Sequence, residues 1–177
     1  MVDDRDELER ANALEDAEDA RPKGPAYMTP SGHARLVLEL EALGAERARV
    51  VSAVTDAAAQ GDRSENAEYI YGKRRLRQLD SRMRFLRKVV ETVVLVDPSI
   101  DRGARVFFGA TVVLEDDRGE RVTYQLVGEH ETDAETGKIS YRSPIGSALL
   151  RKEEGDEVTV ETPKGRRTVA IAEVRYG

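Results

Sequence analysis

The chain has 177 residues, of which 35% are charged and only 5% are aromatic. It has no cysteine, which excludes disulfides, thiolate nucleophiles and cysteine-based zinc sites. The formal net charge of −6 gives no general attraction to nucleic acid. Because the sequence shows neither an apolar run of membrane-spanning length nor a secretory signal, we expect a soluble cytoplasmic protein.

The N-terminal segment, residues 1–20, is strongly acidic, with nine acidic and two basic residues. Such a segment repels itself and has little apolar surface to bury, so residues 1–26 are predicted to be a disordered tail and linker. Its simplest role is to keep the chain soluble. A second hypothesis is that it binds basic residues farther along the same chain and damps their activity.

Two heptad patterns within residues 27–97 predict an antiparallel coiled-coil hairpin. The first helix is expected to begin with Thr29 as its N-cap and Pro30 at its first position. Neither apolar stripe can be buried alone, so the two arms must fold back on each other. Each arm of about 30 residues would be about 45 Å long. The heptad positions are Leu36, Leu40, Leu43, Val50, Val54 and Ala57 in the first arm, and Tyr69, Gly72, Leu76, Leu79, Met83, Leu86, Val90 and Val93 in the second.

The connection between the arms carries the run GDRSENAEY, residues 61–69. Asp62 and Glu65 stand three positions apart and are typical of a capping box, with Asp62 as the N-cap. Capping accounts for the acidic residues but not for the long stalk that holds them. The alternative is that the two carboxylates are presented to a partner, where they complete a Mg²⁺ site that they cannot form by themselves.

Residues 63–88, which follow the tip, are rich in basic side chains. The segment contains nine basic and three acidic residues, which gives it a net charge of +6 within a protein of net charge −6. These side chains can be a solvated coiled-coil face, a surface that contacts phosphates, or both. The basic residues are Arg63, Lys73, Arg74, Arg75, Arg77, Arg82, Arg84, Arg87 and Lys88.

Residues 98–177 change to a period of two, which predicts an antiparallel sheet and an α+β protein overall. The first strands are expected to be interrupted near Gly109 and then to form a hairpin that turns at residues 117–119. A short helix should follow, capped by Ser143 with Pro144 at its first position. A second hairpin is predicted to turn at residues 163–165.

Several of these motifs together resemble a known family. The run GDRSENAEYIYGKRRLRQLDSRMRFL resembles the second-helix signature of the bacterial Gre transcript-cleavage factors, and its KRRLRQLDSR part is nearest to the GreB branch. RVFFGA at residues 105–110 and SPIGSALLRKEEGDEV, which begins at Ser143, resemble further signatures of the family. The resemblance covers residues 27–177 and leaves the acidic segment outside.

The resemblance implies a function in transcription. Gre factors dock on bacterial RNA polymerase through an FKBP-like C-terminal domain, and their hairpin enters the secondary channel. By position, Asp62 and Glu65 match the tip acids that hold a second Mg²⁺ jointly with polymerase, which then cleaves its own backtracked RNA. The factor would be a monomeric cofactor of polymerase and not a nuclease.

The resemblance also assigns two contact surfaces. Lys73, Arg74, Arg75 and Arg77 match the basic patch near the extruded RNA 3′ end. Ser143 and Pro144 lie in the loop expected to dock on the rim of the polymerase channel. GreB-type proteins can carry an acidic residue just before this pair, where the present chain has Arg142, which puts that docking contact in doubt.

Two other functions remain open at this point. A Gre-like protein can inhibit polymerase from the same channel, although the Asp62 and Glu65 pair argues against that. A peptidyl-prolyl isomerase with a coiled-coil arm is a hypothesis of another class, supported only by fold-level similarity. The C-terminal domain offers few aromatic residues for a proline pocket, which weakens this third hypothesis.

Overall fold

The computed structural model describes residues 24–59, 67–162 and 165–177, without the side chains of residues 161 and 162. These ranges form a helical hairpin followed by a curled five-stranded sheet with one short helix against it. The expected α+β class is therefore confirmed. No helix in the described ranges is both long and apolar enough to cross a membrane.

The hairpin consists of α1 (Pro30–Ala59) and α2 (Ala67–Thr92). The backbone N–H of Gly32 donates to Thr29 Oγ1 at 3.0 Å, so the predicted cap of α1 is confirmed. The heptad positions face the opposite arm and are buried or half-buried, as the pattern predicted. The residues buried along the hairpin are Gly32, Leu36, Ala57, Leu79, Met83, Leu86 and Val89.

The base of the hairpin is closed by a two-stranded parallel sheet of β1 (Tyr27–Met28) and β2 (Val94–Leu95). The Val94 N–H donates to the carbonyl of Ala26 at 2.7 Å, which ties the start of α1 to the end of α2. Tyr27 also packs against the core of the large sheet, with ring centroids 5.8 Å from Phe108 and 5.7 Å from Tyr141. The hairpin therefore emerges from the sheet domain at a fixed base.

The large sheet has the strand order β5-β4-β3-β7-β6. Its pairs are antiparallel except that β4 and β5 run parallel, a pairing that the sequence did not indicate. The short helix α3 (Pro144–Leu149) packs against β6. The strands are β3 (Thr111–Glu115), β4 (Arg121–Val127), β5 (Lys138–Ser140), β6 (Glu157–Thr162) and β7 (Gly165–Arg175).

The predicted turn between β3 and β4 falls where the sequence placed it. The connection from β3 to β4 spans residues 116–120, and Gly119 there has φ +76°, which a glycine adopts without strain. The β6–β7 hairpin is also present, although two of its predicted turn residues, 163 and 164, lie outside the described residues.

The segment 105–108, expected to be a strand, does not form one. It makes a single antiparallel bridge, with the Val106 N–H donating to the Lys152 carbonyl at 2.8 Å. The chain then turns at Gly109, which has φ +90°. A Cβ at this position would lie 2.8 Å from Pro98 Cα, so the close approach of Pro98 requires glycine and ends the extended segment.

The core of the sheet domain lies between the sheet, α3 and the 105–110 segment. It contains the inward-facing residues of four strands together with side chains from the segments between them. Its buried members are Val106, Phe108, Ala110, Val112, Leu114, Leu126, Tyr141, Leu149, Val158, Val160, Val169 and Ile171.

Candidate functional site

Within the described ranges, ion pairs join the two arms of the hairpin. Arg47 Nε lies 2.6 Å from Asp80 Oδ1, and the guanidinium of Arg75 lies 2.7 Å from Glu46 Oε1. A third pair joins Arg82 to Glu39 at 2.8 Å. Each pair is partly exposed and contributes little to stability alone, but together the pairs help to fix the position of one arm on the other.

At the end of the hairpin that lies away from the sheet domain, the structure describes both helices but not the connection between them. Ala59 ends α1 and Ala67 begins α2, and Val54 packs against Gly72 a few residues below them. A Cβ at position 72 would clash with the Val54 side chain, so the close approach of the two helices favours glycine here. Asp62 and Glu65, the predicted catalytic and metal-binding residues, lie outside the described residues and stay predictions.

The predicted contact residues Lys73, Arg74, Arg75 and Arg77 are all exposed on α2. They do not form one uniformly free patch, because Arg75 is paired with Glu46 of α1. The charge count along α2 alone did not indicate this neutralisation across the hairpin. The acidic residues of α1, spaced seven apart at Glu39 and Glu46, were the signal that could have indicated it.

Beside this patch lies a groove between the arms, which we call the arginine groove. It has a volume of about 980 Å³. Asp80 lies in it with its carboxyl pKa lowered by the hydrogen bond from Arg47, an effect to which the positive charges of Arg84 and Arg87 add. The groove is lined by Gly44, Arg47, Arg77, Asp80, Met83, Arg84 and Arg87.

The arginine groove depends on contact between the arms. Gly44 adds no side chain above Met83, and a Cβ there would be 3.9 Å from the Met83 methyl. Arg47 occupies the position where the first heptad lacks an apolar residue and turns to Asp80 instead. The heptad spacing of α1 does not by itself indicate that these two positions face the same part of α2.

The predicted docking loop has the expected local structure. Ser143 Oγ accepts the Gly146 N–H at 3.0 Å and caps α3, and its hydroxyl donates to the Ser140 carbonyl at 2.7 Å. Pro144 occupies the first helical position and is exposed. The loop is therefore rigid and presents Pro144 to solvent.

Arg142, the departure from the family pattern, points into the molecule. Its side chain is only 13% exposed, lies over the Tyr141 ring and reaches Glu129 at 3.4 Å. One guanidinium nitrogen donates to the carbonyls of Gly24 and Pro25, each at 3.1 Å. The side chain therefore anchors the start of the described chain and is largely withdrawn from the docking surface.

Within the part of the chain that the structure describes, no group of three or more histidine, aspartate or glutamate side chains is arranged to hold a metal ion. His130 instead packs against Phe85, with ring centroids 5.3 Å apart. The tip carboxylates stay the candidate ligands, and they are outside these residues.

Comparisons with known proteins cover both parts of the structure. The family model "Transcription elongation factor, N-terminal" matches residues 26–94, and the model "Transcription elongation factor, GreA/GreB, C-term" matches residues 101–176. The transcription elongation factor GreB of Pseudomonas aeruginosa is 48% identical over 157 residues, which are 88% of this chain and 94% of that protein. GreB of Yersinia pestis is 49% identical over 151 residues, which are 85% of this chain and 88% of that protein.

Solved structures with a detectable likeness include GreA factor homolog 1 (Gfh1) of Thermus thermophilus. It is 26% identical with a TM-score of 0.41, and the match covers 86% of this chain and 99% of that one. From the two family matches, which together span most of the chain, and from relatives that are nearly half identical, the chain belongs to the GreA/GreB family of transcription elongation factors.

Proposed function

We propose that this elongation factor inserts its hairpin into the secondary channel of bacterial RNA polymerase and stimulates the polymerase to cleave backtracked RNA. The observation that carries the proposal is the geometry of the hairpin. Ion pairs and the contact of Val54 with Gly72 hold the arms in register. The last residue of α1, Ala59, and the first residue of α2, Ala67, therefore lie at the same distance along the hairpin. The 30 residues of α1 correspond to about 45 Å between this level and the sheet domain.

The chemistry assigned to the tip rests on its two carboxylates. Asp62 and Glu65 supply hard oxygen ligands, which suit Mg²⁺, and two such ligands leave most of the coordination sphere to a partner. This donor set therefore fits an ion held jointly with polymerase and not one held by the factor alone. When bound, the ion would supply the positive charge that activates water for attack on a phosphodiester. The factor thus completes a site, and the catalyst is polymerase.

The basic side chains below the tip would contact the extruded RNA 3′ segment. Lys73, Arg74, Arg75 and Arg77 are exposed on α2, within about three turns of Ala67. Lysine and arginine bind phosphates by charge and without sequence preference, as a factor that acts on any stalled transcript requires. Because Arg75 also pairs with Glu46, RNA must displace that carboxylate to use it.

The sheet domain would dock on the rim of the channel through the loop at Ser143 and Pro144. The capped α3 keeps this loop rigid, and a rigid loop loses little conformational entropy on binding. Arg142 is held by internal contacts, so docking would not use an acidic side chain at that position.

No described feature favours the isomerase hypothesis. The cleft between the sheet and α3 is lined by aliphatic residues and by four charged ones, Asp116, Glu120, Arg121 and Arg167, and Tyr124 is the aromatic residue of this lining. A pocket that binds a small ligand is expected to be lined mainly by apolar and aromatic side chains with few polar ones, so the four charges do not favour proline binding.

The decisive experiment is Asp62→Asn in a cleavage assay on backtracked complexes with purified polymerase. Asparagine caps a helix as well as aspartate does, so capping predicts almost no change. Loss of a metal-binding carboxylate predicts a fall in cleavage rate of about 100-fold with polymerase binding retained. Asp56→Asn, an exposed acid near the end of α1, is the matched control and should cleave normally.

Wild-type cleavage by Asp62→Asn would refute the tip chemistry. An additional assay, on active complexes that have not backtracked, distinguishes a cleavage factor from an inhibitor of polymerase. Slower nucleotide addition without RNA cleavage would assign the chain as an inhibitor that acts from the same channel.

A further inference from the structure

We propose that the acidic N-terminal segment, residues 1–20, binds in the arginine groove of its own hairpin, and that a phosphate backbone must displace it to use that surface. The intramolecular contact is independent of the proposed function, whereas its consequence for RNA binding rests on it. The two parts are therefore tested separately.

The groove has an excess of positive charge. Arg47 is compensated by Asp80 at 2.6 Å. Among the described residues, none forms a salt bridge with Arg77, Arg84 or Arg87. Asp80 is the acidic residue of the lining and is hydrogen-bonded to Arg47, so the three exposed guanidinium groups leave the groove with an excess of positive charge, which attracts a polyanion.

The segment has the complementary charge. Nine acidic and two basic residues within residues 1–20 give it a net charge of −7, within a chain of net charge −6. It has too few large apolar side chains to form a core of its own, so its binding energy must come from charge. The N-terminal family match begins at residue 26, so the segment is additional to the family domains.

The structure fixes the point on the chain from which the segment extends. Arg142 and the β1–β2 pairing fix residues 24–28 at the base of the hairpin. Arg47 lies 17 residues along α1 from Pro30, or about 25 Å at 1.5 Å per residue. Twenty extended residues span up to about 70 Å, so the segment can reach the whole groove.

Tethering also makes a weak interaction sufficient. A segment tethered beside its binding site has an effective concentration in the millimolar range, so a dissociation constant about tenfold below that concentration fills the site to about 90%. If the segment occupies the groove in about 90% of the molecules, the apparent affinity of the groove for a competing polyanion falls about tenfold. Added salt should release the segment, because the contact is mainly between exposed charges.

The first experiment measures the contact directly and without polymerase. Because the chain has no cysteine, Leu8→Cys and Ser81→Cys introduce unique positions for a fluorescent donor and acceptor in the full chain. Energy transfer should be high at about 20 mM salt and fall at about 500 mM, where screening is short-ranged. The triple substitution Arg77→Gln, Arg84→Gln and Arg87→Gln should abolish the low-salt signal.

A second triple variant, Arg118→Gln, Arg121→Gln and Arg167→Gln, is the matched control, with the same charge change on the sheet domain. It should keep the parental energy transfer. Equal transfer in the groove variant and the parent, or transfer that does not respond to salt, would overturn the proposal.

The second experiment measures competition with a single-stranded oligonucleotide as the probe. Deletion of residues 1–23 should raise the affinity for the oligonucleotide about tenfold at low salt. In the groove variant the same deletion should have little effect. If the deletion raises affinity equally in both backgrounds, the segment acts only through overall charge and the groove is not its site. A failure of polymerase cleavage would change neither result.

Discussion

Glu131 and Thr29, which are 102 positions apart in the chain, form a buried contact that joins the hairpin to the sheet domain. One carboxylate oxygen of Glu131 accepts the Thr29 N–H at 3.0 Å and the Gly128 N–H at 2.9 Å, and the other accepts the Thr29 hydroxyl. A Cβ at Gly32 would clash with the same carboxylate. Because Thr29 also caps α1, one side chain links the start of the hairpin to the loop after β4.

Replacing this carboxylate should weaken the whole molecule. Glu131→Ala leaves two buried backbone N–H groups without an acceptor, so we expect the free energy of unfolding to fall by about 3 kcal/mol. Urea denaturation followed by circular dichroism measures the change. Glu135→Ala, at an exposed position of the same loop, is the control and should change stability by less than about 0.5 kcal/mol. Equal effects of the two substitutions would show that the junction is not held by Glu131.

The two hairpin glycines should respond to alanine in opposite ways. At Gly44 the new methyl makes an ordinary contact 3.9 Å from Met83, so the gain in helix propensity should stabilise the protein by about 1 kcal/mol. At Gly72 it would clash with Val54, whose branched side chain has one favoured rotamer in a helix, and overpacking of this kind costs about 1–3 kcal/mol.

A double-mutant cycle by thermal unfolding tests the cause of the Gly72 effect. In a Val54→Ala background the clash is absent, so Gly72→Ala should become stabilising. If Gly72→Ala destabilises equally in both backgrounds, the close approach of Val54 is not the reason for the glycine.

Asp80 should titrate below the usual aspartate value of 3.8, because the hydrogen bond from Arg47 favours its charged form. Since its pKa is lower in the folded than in the unfolded state, the pair stabilises the fold above about pH 4, and this stabilisation is lost as the pH falls through the folded pKa. Arg47→Gln should raise the pKa of Asp80, measured from its carboxyl carbon shift by NMR. An unchanged titration would mean that the ion pair does not form in solution.

Tyr176 connects the end of β7 to the irregular segment before Gly109. Its hydroxyl accepts the Phe107 N–H at 3.0 Å and donates to the Arg105 carbonyl at 2.5 Å. Tyr176→Phe should lower the free energy of unfolding by about 1–2 kcal/mol, because the Phe107 N–H loses its partner. Tyr71→Phe, at a residue 72% exposed on α2, should have no measurable effect in the same denaturation experiment. If Tyr176→Phe leaves the free energy of unfolding unchanged, water replaces the hydroxyl as the partner of the Phe107 N–H.

Much of the fold is predictable from the sequence because its determinants are local. The heptad spacing gives both arms, Thr29 and Ser143 give the helix starts, and the turn residues give the β3–β4 hairpin. The parallel β4–β5 pair and the failure of residues 105–108 to form a strand were not predictable, since both depend on contacts with distant segments.

In the candidate site, too, some features were predictable from the sequence and others depended on contacts between distant segments. The sequence by itself determined that a long stalk carries Asp62 and Glu65 between its arms and basic residues along its second helix, because periodicity and spacing are properties of one segment. Only the tertiary structure decided that Arg75 is paired, that Arg77, Arg84 and Arg87 share a groove, and that Arg142 turns inward. The physical reason is that neutralisation and burial depend on which groups from separate segments come within a few ångströms, and this is fixed by the register of the arms and the packing at the hairpin base.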